Sequence, residues 1–383
     1  MSTILYYETG SGYGGSTRSL YHLLKALDRT RYRPIVVAAS EGSVVEDIRR
    51  LGVPVHVIGV RPKASGPLPV LRQLIVVDFP LAIRLILLMV RERVELAHLN
   101  NDVYSTIAGF LAGRLLGKPI VCHLRLTRAP TRLERWMGRW ASVKVVLTQD
   151  AKQFYGRWWP KDRIECIPNG VEIPQAEVAH AGSTTSGERV LPGRKTVGLI
   201  ARCVPGKGYE EFIQAAGIVS VSRSDVTFAI LGHDRGGDVA YEQDMRALVA
   251  SLQLNGQLVW GGWQPDVRAI YGALDIVVQA SSTFPEGASR VVLEAMAFGR
   301  PVVATDIVGN RGVVVHQETG LLVPPGNAHA LAEAITTLLA EPALAARYGT
   351  QGRRRVVEHF SLESHAQRIS CLYGSLLREH DHR

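Results

Sequence analysis

Short β-branched runs alternating with longer helical patterns, in two successive series, constrain this chain more than any other feature. In the first series the strands fall at Thr3–Tyr7, Pro34–Ala39, Val53–Ile58, Leu96–Leu99, Ile120–His123 and Lys144–Leu147. In the second they fall at Thr196–Ala201, Val226–Leu231, Gln257–Trp260, Ile276–Gln279 and Pro301–Ala304. Helical spacing occupies most of the gaps, as at Ser16–Leu27, Gly208–Ser220 and Tyr241–Leu252. Such alternation implies parallel strands, since each parallel return needs a crossover and the crossover helix covers the sheet. The expected fold class is therefore α/β, with two Rossmann-like, doubly wound parallel-sheet domains, and 383 residues suit two domains. Residues 174–194, including Ala181-Gly-Ser-Thr-Thr-Ser-Gly187, are small and polar and suit a linker. The first domain is expected over 1–173 and the second over 195–360. A last helix, about 361–380 with Ser361 as its N-cap, is expected to pack back on the first domain.

The formal charge is +9, and its distribution matters more than its size. Residues 1–173 carry 25 Lys+Arg against 14 Asp+Glu, whereas residues 174–383 carry 19 against 21. The surplus belongs to the first half, where no module for nucleic-acid recognition stands out, so no nucleic-acid partner is expected. Cys122, Cys166, Cys203 and Cys371 lie far apart without a CxxC pair, which speaks against a disulfide framework or zinc site and suits a reducing compartment. Met1–Glu8 lacks the basic and apolar regions of an export signal, so a cytoplasmic location is expected. The apolar stretch Leu74–Val90 is interrupted by Asp78, Pro80 and Arg84, and within it Leu81–Val90 is expected to be a buried core helix rather than a membrane insert.

In open parallel sheets ligands bind at loops leaving the carboxyl ends of strands, where the unusual residues of this sequence fall. Gly10-Ser-Gly-Tyr-Gly-Gly15 matches GxGxxG between strand and helix. A dinucleotide fingerprint would want an acid ending the second strand, and Glu41 comes late for it. Contact of backbone N–H groups with another phosphate or sugar fits better, with a plain tight turn as the remaining reading. Arg202-Cys-Val-Pro-Gly-Lys-Gly208 puts two cations beside a turn, where both could meet a diphosphate. Glu294 stands alone among apolar and small residues from Val291 to Gly299, an environment costly for an unpartnered carboxylate. Glu286 precedes the same helix, and the N–H groups of Gly287–Ser289 suit an anion.

Glu286 and Glu294 form the E-x7-E pattern, and with it the chain resembles the retaining GT-B glycosyltransferases of group 1, family 4. Ile167-Pro-Asn-Gly-Val171, Arg202-x4-Lys207-Gly208, Glu294-Ala-Met-Ala-Phe-Gly-Arg-Pro-Val-Val-Ala-Thr-Asp306 and Glu318-Thr-Gly-Leu-Leu-Val-Pro-Pro-Gly326 extend the resemblance over essentially the whole chain. The resemblance implies a GT-B fold of two domains facing across a cleft, the first for the acceptor and the second for a nucleotide-sugar, UDP- or GDP-linked. It implies that Glu294 holds the ribose, Arg202 and Lys207 stabilise the leaving diphosphate, and Glu286 contacts the donor sugar beside Gly287, Ala288 and Ser289. Gly14 and Gly15 would approach the diphosphate, His123 would touch the transferred sugar, and His98 and Arg125 are acceptor-side candidates. The sequence has no Asp-x-Asp motif, so no metal and no other cofactor is expected. Three departures from the family pattern are Ala201 before the Arg, Ala288-Ser289-Arg290 where Phe-Gly and an apolar residue are common, and Gly309-Asn-Arg-Gly312 without a Pro-Glu pair.

On the acceptor side, Arg125, Arg128, Arg132, Arg135 and Arg139 accompany Trp136 and Trp140. A helix after Pro130 would set Leu133, Trp136 and Trp140 on one face, suiting an anionic membrane or a phosphate-bearing acceptor, or else an ordinary packed helix with solvated arginines. These features favour a peripheral enzyme at the inner face of the cell membrane, extending a glycan or lipid-linked acceptor. A nucleotide-sugar epimerase on a similar frame, or a non-catalytic nucleotide-sugar-binding protein, are the competing readings.

Overall fold

The computed structural model describes residues 1–10, 12, 14–59, 72–174, 194–233, 237–263 and 267–381. Ser11 and Tyr13 of the first glycine loop, and most of the expected linker at 174–194, lie outside the described residues. The chain forms two compact units, Met1–Gly170 with Leu362–Arg383, and Val171–Ser361.

The first unit holds β1 (Ser2–Glu8), β2 (Tyr32–Ala38), β3 (Val55–Val57), β4 (Leu96–Leu99), β5 (Ile120–His123), β6 (Val143–Val146) and β7 (Ile164–Cys166). They form one sheet in the order β3-β2-β1-β4-β5-β6-β7, and every pair is parallel. The second unit holds β8 (Lys195–Ile200), β9 (Val226–Leu231), β10 (Leu258–Gly261), β11 (Ile276–Gln279), β12 (Val302–Thr305) and β13 (Leu321–Val323), in the order β10-β9-β8-β11-β12-β13, again all parallel. Both sheets reverse strand order once, at β1/β4 and at β8/β11. A crevice opens at such a point because the crossover helices leave on opposite faces.

The strands are nearly continuous apolar runs because both faces of each sheet are covered. Ile4, Tyr6, Leu20, Leu23, Val36 and Val121 share one core, and the C-terminal helix Leu362–Asp381 adds Ile369, Tyr373 and Leu376 to it. Tyr32 Oη donates to the carbonyl of Ser370 at 2.9 Å, fastening that helix within the first unit. The second core gathers Val197, Leu199, Phe212, Phe228, Val278 and Ile335.

Two strands, β7 and β13, have three residues each and were not expected from the sequence. The helix expected after Pro130 is also cut short. Thr131 and Glu134 form a capping box that starts it at Arg132, but it ends at Met137 and continues as a 3-10 turn over Gly138–Trp140. A Cβ on Gly138 would stand 2.6 Å from the Trp159 ring, so the turn is pressed against Trp159.

Leu81–Val90 departs from the expected core helix in a different way. The helix Phe79–Arg91, entered through a π-helical turn at Leu74–Asp78, buries only Leu81, Ala82, Leu85 and Met89. Its other face carries exposed apolar side chains. No helix among the described residues is long and apolar enough to cross a membrane.

Asp78, in the π-helical turn, is 6% exposed and its Oδ2 has no hydrogen-bond partner among the described residues. Burial pushes its carboxyl up to about 6. An acid whose folded pKa is raised loses stability as pH climbs, because the unfolded chain ionises first. Its contribution is intact below pH 4 and falls by about 1–3 kcal/mol by pH 6 to 7. Asp78→Asn is therefore expected to raise the unfolding midpoint at pH 8 and to change it little at pH 4. Thermal melts at both values check this, and an equal shift at both would contradict the ionisation account.

Candidate active site

At the β8/β11 switch point the loop Ala201–Gly208 is laced to the loop Ala280–Glu286. Ser282 and Phe284 donate their N–H groups to the Gly206 carbonyl at 3.0 and 3.3 Å. Gly206 and Gly208 have φ of +82° and +81°, and a Cβ on Gly208 would stand 2.0 Å from the Ala280 oxygen. Only glycine combines that backbone conformation with so close an approach. The consequence is chemical: Lys207 Nζ donates to Glu286 Oε1, and lies 3.8 Å from the centroid of the Phe284 ring. Both side chains are mostly buried, 14% and 15% exposed.

Glu286 also accepts from Ser281 Oγ at 3.2 Å. Behind it a polar lattice is closed by Gln279, Asn310 and Thr305. Gln279 Nε2 donates to Ser281 Oγ at 2.7 Å, Asn310 Nδ2 to Gln279 Oε1 at 2.6 Å, and Thr305 Oγ1 to the Ser281 carbonyl at 2.6 Å. Gly309 packs under Glu286, where a Cβ would be 2.8 Å from the Glu286 oxygen. That contact gives the sequence Gly309-Asn-Arg-Gly312 a structural meaning without a Pro-Glu pair.

Glu294, inside the helix Arg290–Ala297, is not left alone among apolar neighbours. Arg290 Nη2 donates to its Oε1 at 2.6 Å and Tyr271 Oη to its Oε2 at 3.0 Å. Burial, with the Glu294 carboxylate beside it, holds the Tyr271 phenol well above its ordinary range and so keeps it a donor. Gly287, Ala288 and Ser289 are buried in front of this helix, and the Ser289 side chain does not cap it. Arg202 stands exposed at the end of β8. Of the residues singled out in this half, the structure joins Lys207 to Glu286 and gives Glu294 the partners Arg290 and Tyr271.

The first unit offers a second polar centre, at the β1/β4 switch point. Glu8, the last residue of β1, is 1% exposed. Its Oε1 accepts from Gly10 N at 2.6 Å, Asn101 Nδ2 at 2.7 Å and Ser16 Oγ at 3.1 Å, and its Oε2 accepts from Asn100 Nδ2. Burial pushes its carboxyl up, while Asn100, Gly10, Asn101 and Arg125 pull it back. Glu8 thus ties the glycine loop to the loop after β4. Gly12 donates to Ser40 Oγ at 3.1 Å, and a Cβ on it would be 2.3 Å from the Glu41 oxygen. Gly14 is the N-cap of the helix Gly15–Ala26 and makes no side-chain cap. Gly14 is half-buried and Gly15 exposed.

The acceptor-side candidates His98 and Arg125 are both buried within the first unit. His98 is 0% exposed, with Nδ1 bonded to Tyr373 Oη and Nε2 at 3.3 Å from His123 Nδ1, so both nitrogens are engaged inside its own unit. Arg125, 8% exposed, donates to Asn169 Oδ1 at 2.6 Å and to Asn100 Oδ1, joining the loops after β4, β5 and β7. His123 is also 0% exposed, yet its Nε2 has no hydrogen-bond partner among the described residues. Burial, reinforced by Arg125, holds both imidazoles well below their ordinary range, hence neutral. A neutral His123 can offer Nε2 to a hydroxyl, whereas His98 acts on it only as a neighbour.

Two of the wider arginine cluster have partners within this unit. Arg128 pairs with Glu134 and lies 3.3 Å from Asp102, and Arg135 donates to the Pro130 carbonyl at 3.1 Å and stacks on Trp158. Sequence reasoning missed Glu8, Tyr271, Arg290 and the Gln279–Asn310 lattice. A carboxylate ending a buried strand before a glycine turn, and an Arg four residues before a Glu on one helix, were the available signals.

Residues 13–174 match the family model described as Glycosyltransferase Family 4, and residues 187–355 match Glycosyl transferases group 1. The lipopolysaccharide core biosynthesis mannosyltransferase LpcC of Rhizobium leguminosarum bv. viciae is 30% identical, over 86% of this chain and 89% of its own. The 2-deoxystreptamine glucosyltransferase of Streptomyces kanamyceticus is 27% identical over 73% and 76%. Among solved structures, Anabaena Alr3699/HepE in complex with UDP-glucose superposes with a TM-score of 0.81 at 21% identity, covering 98% of this chain and all of that one.

Proposed function

Since this chain belongs to the group 1, family 4 glycosyltransferases, we propose that it moves a hexose, with retention, from a nucleotide-sugar to a glycan or lipid-linked acceptor. The product is a cell-surface polysaccharide or glycolipid, made at the inner face of the membrane. The observation that carries this reading is the junction of Lys207, Glu286 and the Ser281–Gln279–Asn310 lattice at the carboxyl ends of β8 and β11.

Departure of a nucleoside diphosphate builds negative charge, which preorganised donors stabilise more than they stabilise the bound substrate. Lys207 is the preorganised cation, held by Glu286 and Phe284, and exposed Arg202 adds a forked guanidinium. These two charges serve the leaving group without a metal. Glu294, oriented by Arg290 and Tyr271, is placed to accept from a pair of ribose hydroxyls. Glu286 accepts from hydroxyls of the transferred sugar, and the N–H groups at Gly287–Ser289 face the phosphate. The bond from the anomeric carbon to the diphosphate oxygen breaks and the acceptor oxygen bonds to that carbon on the same face. Its proton passes to the departing phosphate oxygen.

In this reading the donor is a UDP- or GDP-sugar. Similar Anabaena structures hold UDP, or UDP with glucose. A thermal-shift screen across UDP-, GDP-, ADP- and TDP-sugars tests the donor, and proton NMR of the product tests its anomeric configuration. A stabilising nucleotide-sugar whose α-linked sugar reappears α-linked on an acceptor is expected. Isomerisation of the nucleotide-sugar without acceptor would mark an epimerase, and binding with no turnover a non-catalytic protein.

A further inference from the structure

The segment from Leu74 to Arg91 presents an apolar face left exposed among the described residues. Ile75, Val76, Phe79, Ile83, Leu87 and Val90 are 62%, 50%, 59%, 50%, 66% and 61% exposed. They are six of the fourteen exposed large hydrophobic residues among those described, so the chain concentrates such residues here rather than scattering them. Steps of three and four residues place them in one stripe along the helix. Leu81, Ala82, Leu85 and Met89 fill the opposite face and are buried. The helix therefore has a packed inner side and an apolar outer side, a pattern that in water calls for a second partner.

The charges around the stripe select that partner. Arg72 just before this segment and Arg84 and Arg91 on it are exposed, Arg91 lying 3.5 Å from Glu92 at the helix end, and Asp78, the only carboxylate between residues 72 and 91, is buried. The neighbouring helix Ile107–Leu115 ends with exposed Arg114 and with Leu115, 70% exposed. A second copy of the chain fits poorly. Two-fold packing of the stripe, centred near Ile83, would set Arg84 against its own copy. An anionic bilayer fits both properties, taking the apolar side chains into the acyl boundary while phosphate groups meet the arginines.

We propose that the outer face of Leu74–Arg91 docks in the plane of an anionic lipid membrane, with Ile75, Phe79, Ile83, Leu87 and Val90 inserted and Arg84 and Arg91 on headgroup phosphates. The docking surface is this helix rather than Arg132 and Arg135, on a six-residue helix, with Arg139 in the 3-10 turn that follows. It gives the membrane part of the proposed function a specific surface. Sugar transfer to a water-soluble acceptor does not depend on it, so failure of either reading is distinguishable.

The test is flotation of the full chain with phosphatidylglycerol-containing vesicles and with pure phosphatidylcholine vesicles. The wild-type protein is expected to float with the anionic vesicles at low salt. Ile83→Ser/Leu87→Ser is expected to weaken this about tenfold or more, as loss of two inserted side chains requires. Arg84→Glu/Arg91→Glu is expected to weaken it by a similar factor and to flatten its salt dependence. All four positions are exposed, so unchanged circular dichroism and melting are expected and confirm folded variants. Three results would overturn the proposal. Wild-type protein could stay at the bottom of the gradient with anionic vesicles. The serine variant could float undiminished while Arg132→Glu/Arg135→Glu/Arg139→Glu does not. Light scattering could reveal a wild-type dimer that Leu87→Ser dissociates, which would assign the stripe to self-association.

Discussion

Lys207→Ala is expected to lower kcat for sugar transfer by about 10²–10³-fold, the usual cost of removing one preorganised donor from a developing anion. Its ammonium is held between Glu286 and Phe284, so its position is fixed before any charge develops. The loss should fall mainly on kcat, with a smaller change in donor KM, because the interaction strengthens as the diphosphate departs. Folding should be affected much less. Without Lys207, Glu286 still accepts from Ser281, and its carboxylate is not wholly shut from water. A double variant with Glu286→Gln should lose less than the product of the two single losses, since each residue holds the other in place. Full transfer activity in Lys207→Ala would refute the leaving-group assignment. A collapse in melting temperature with activity lost in proportion would assign Lys207 to the fold.

Gly208→Ala is expected to destabilise the chain by about 3 kcal/mol or more, through left-handed strain added to a steric clash. The φ of Gly208 is +81° and its Cβ would sit 2.0 Å from the Ala280 oxygen, a backbone atom that cannot swing aside. Relief requires the loops after β8 and β11 to separate, which draws Lys207 away from Glu286. Activity should therefore fall even where the variant is folded. Gly52→Ala is the matched control, with φ of +74° and nothing within 4 Å of a built Cβ. It should cost only about 1 kcal/mol. Urea unfolding of both variants decides the matter, and equal small losses would show that the approach of the two loops is not tight.

Much of the architecture was legible because parallel sheets covered on both faces write long apolar runs into a sequence. Strands of four or more residues and the glycine turns after them could be placed that way. The three-residue strands β7 and β13 were not, whereas β3, equally short, lies within the longer β-branched run Val53–Ile58. The site was legible as a set of residue types at strand ends. Its pairings were not: Lys207 and Glu286 are 79 positions apart, and Glu8 meets Asn100 across 92. Glu294 looked costly in sequence because its tyrosine partner, Tyr271, lies on a different helix.

By itself, then, the sequence determined two doubly wound α/β units, the loops in which chemistry must sit, and the family those loops resemble. Periodicity and turn chemistry are local, and they survive in one dimension. Tertiary structure alone decided which candidates meet and which partners each receives. His98 and His123 both end up buried near strand ends, yet Tyr373, brought from the C-terminal helix, engages His98 and leaves His123 Nε2 without a partner among the described residues. Burial also decided the fate of Leu74–Arg91. A run apolar on every side cannot say which face the core will take, because that depends on what else packs there. The fold took Leu81, Leu85 and Met89 and left Phe79, Ile83 and Leu87 exposed.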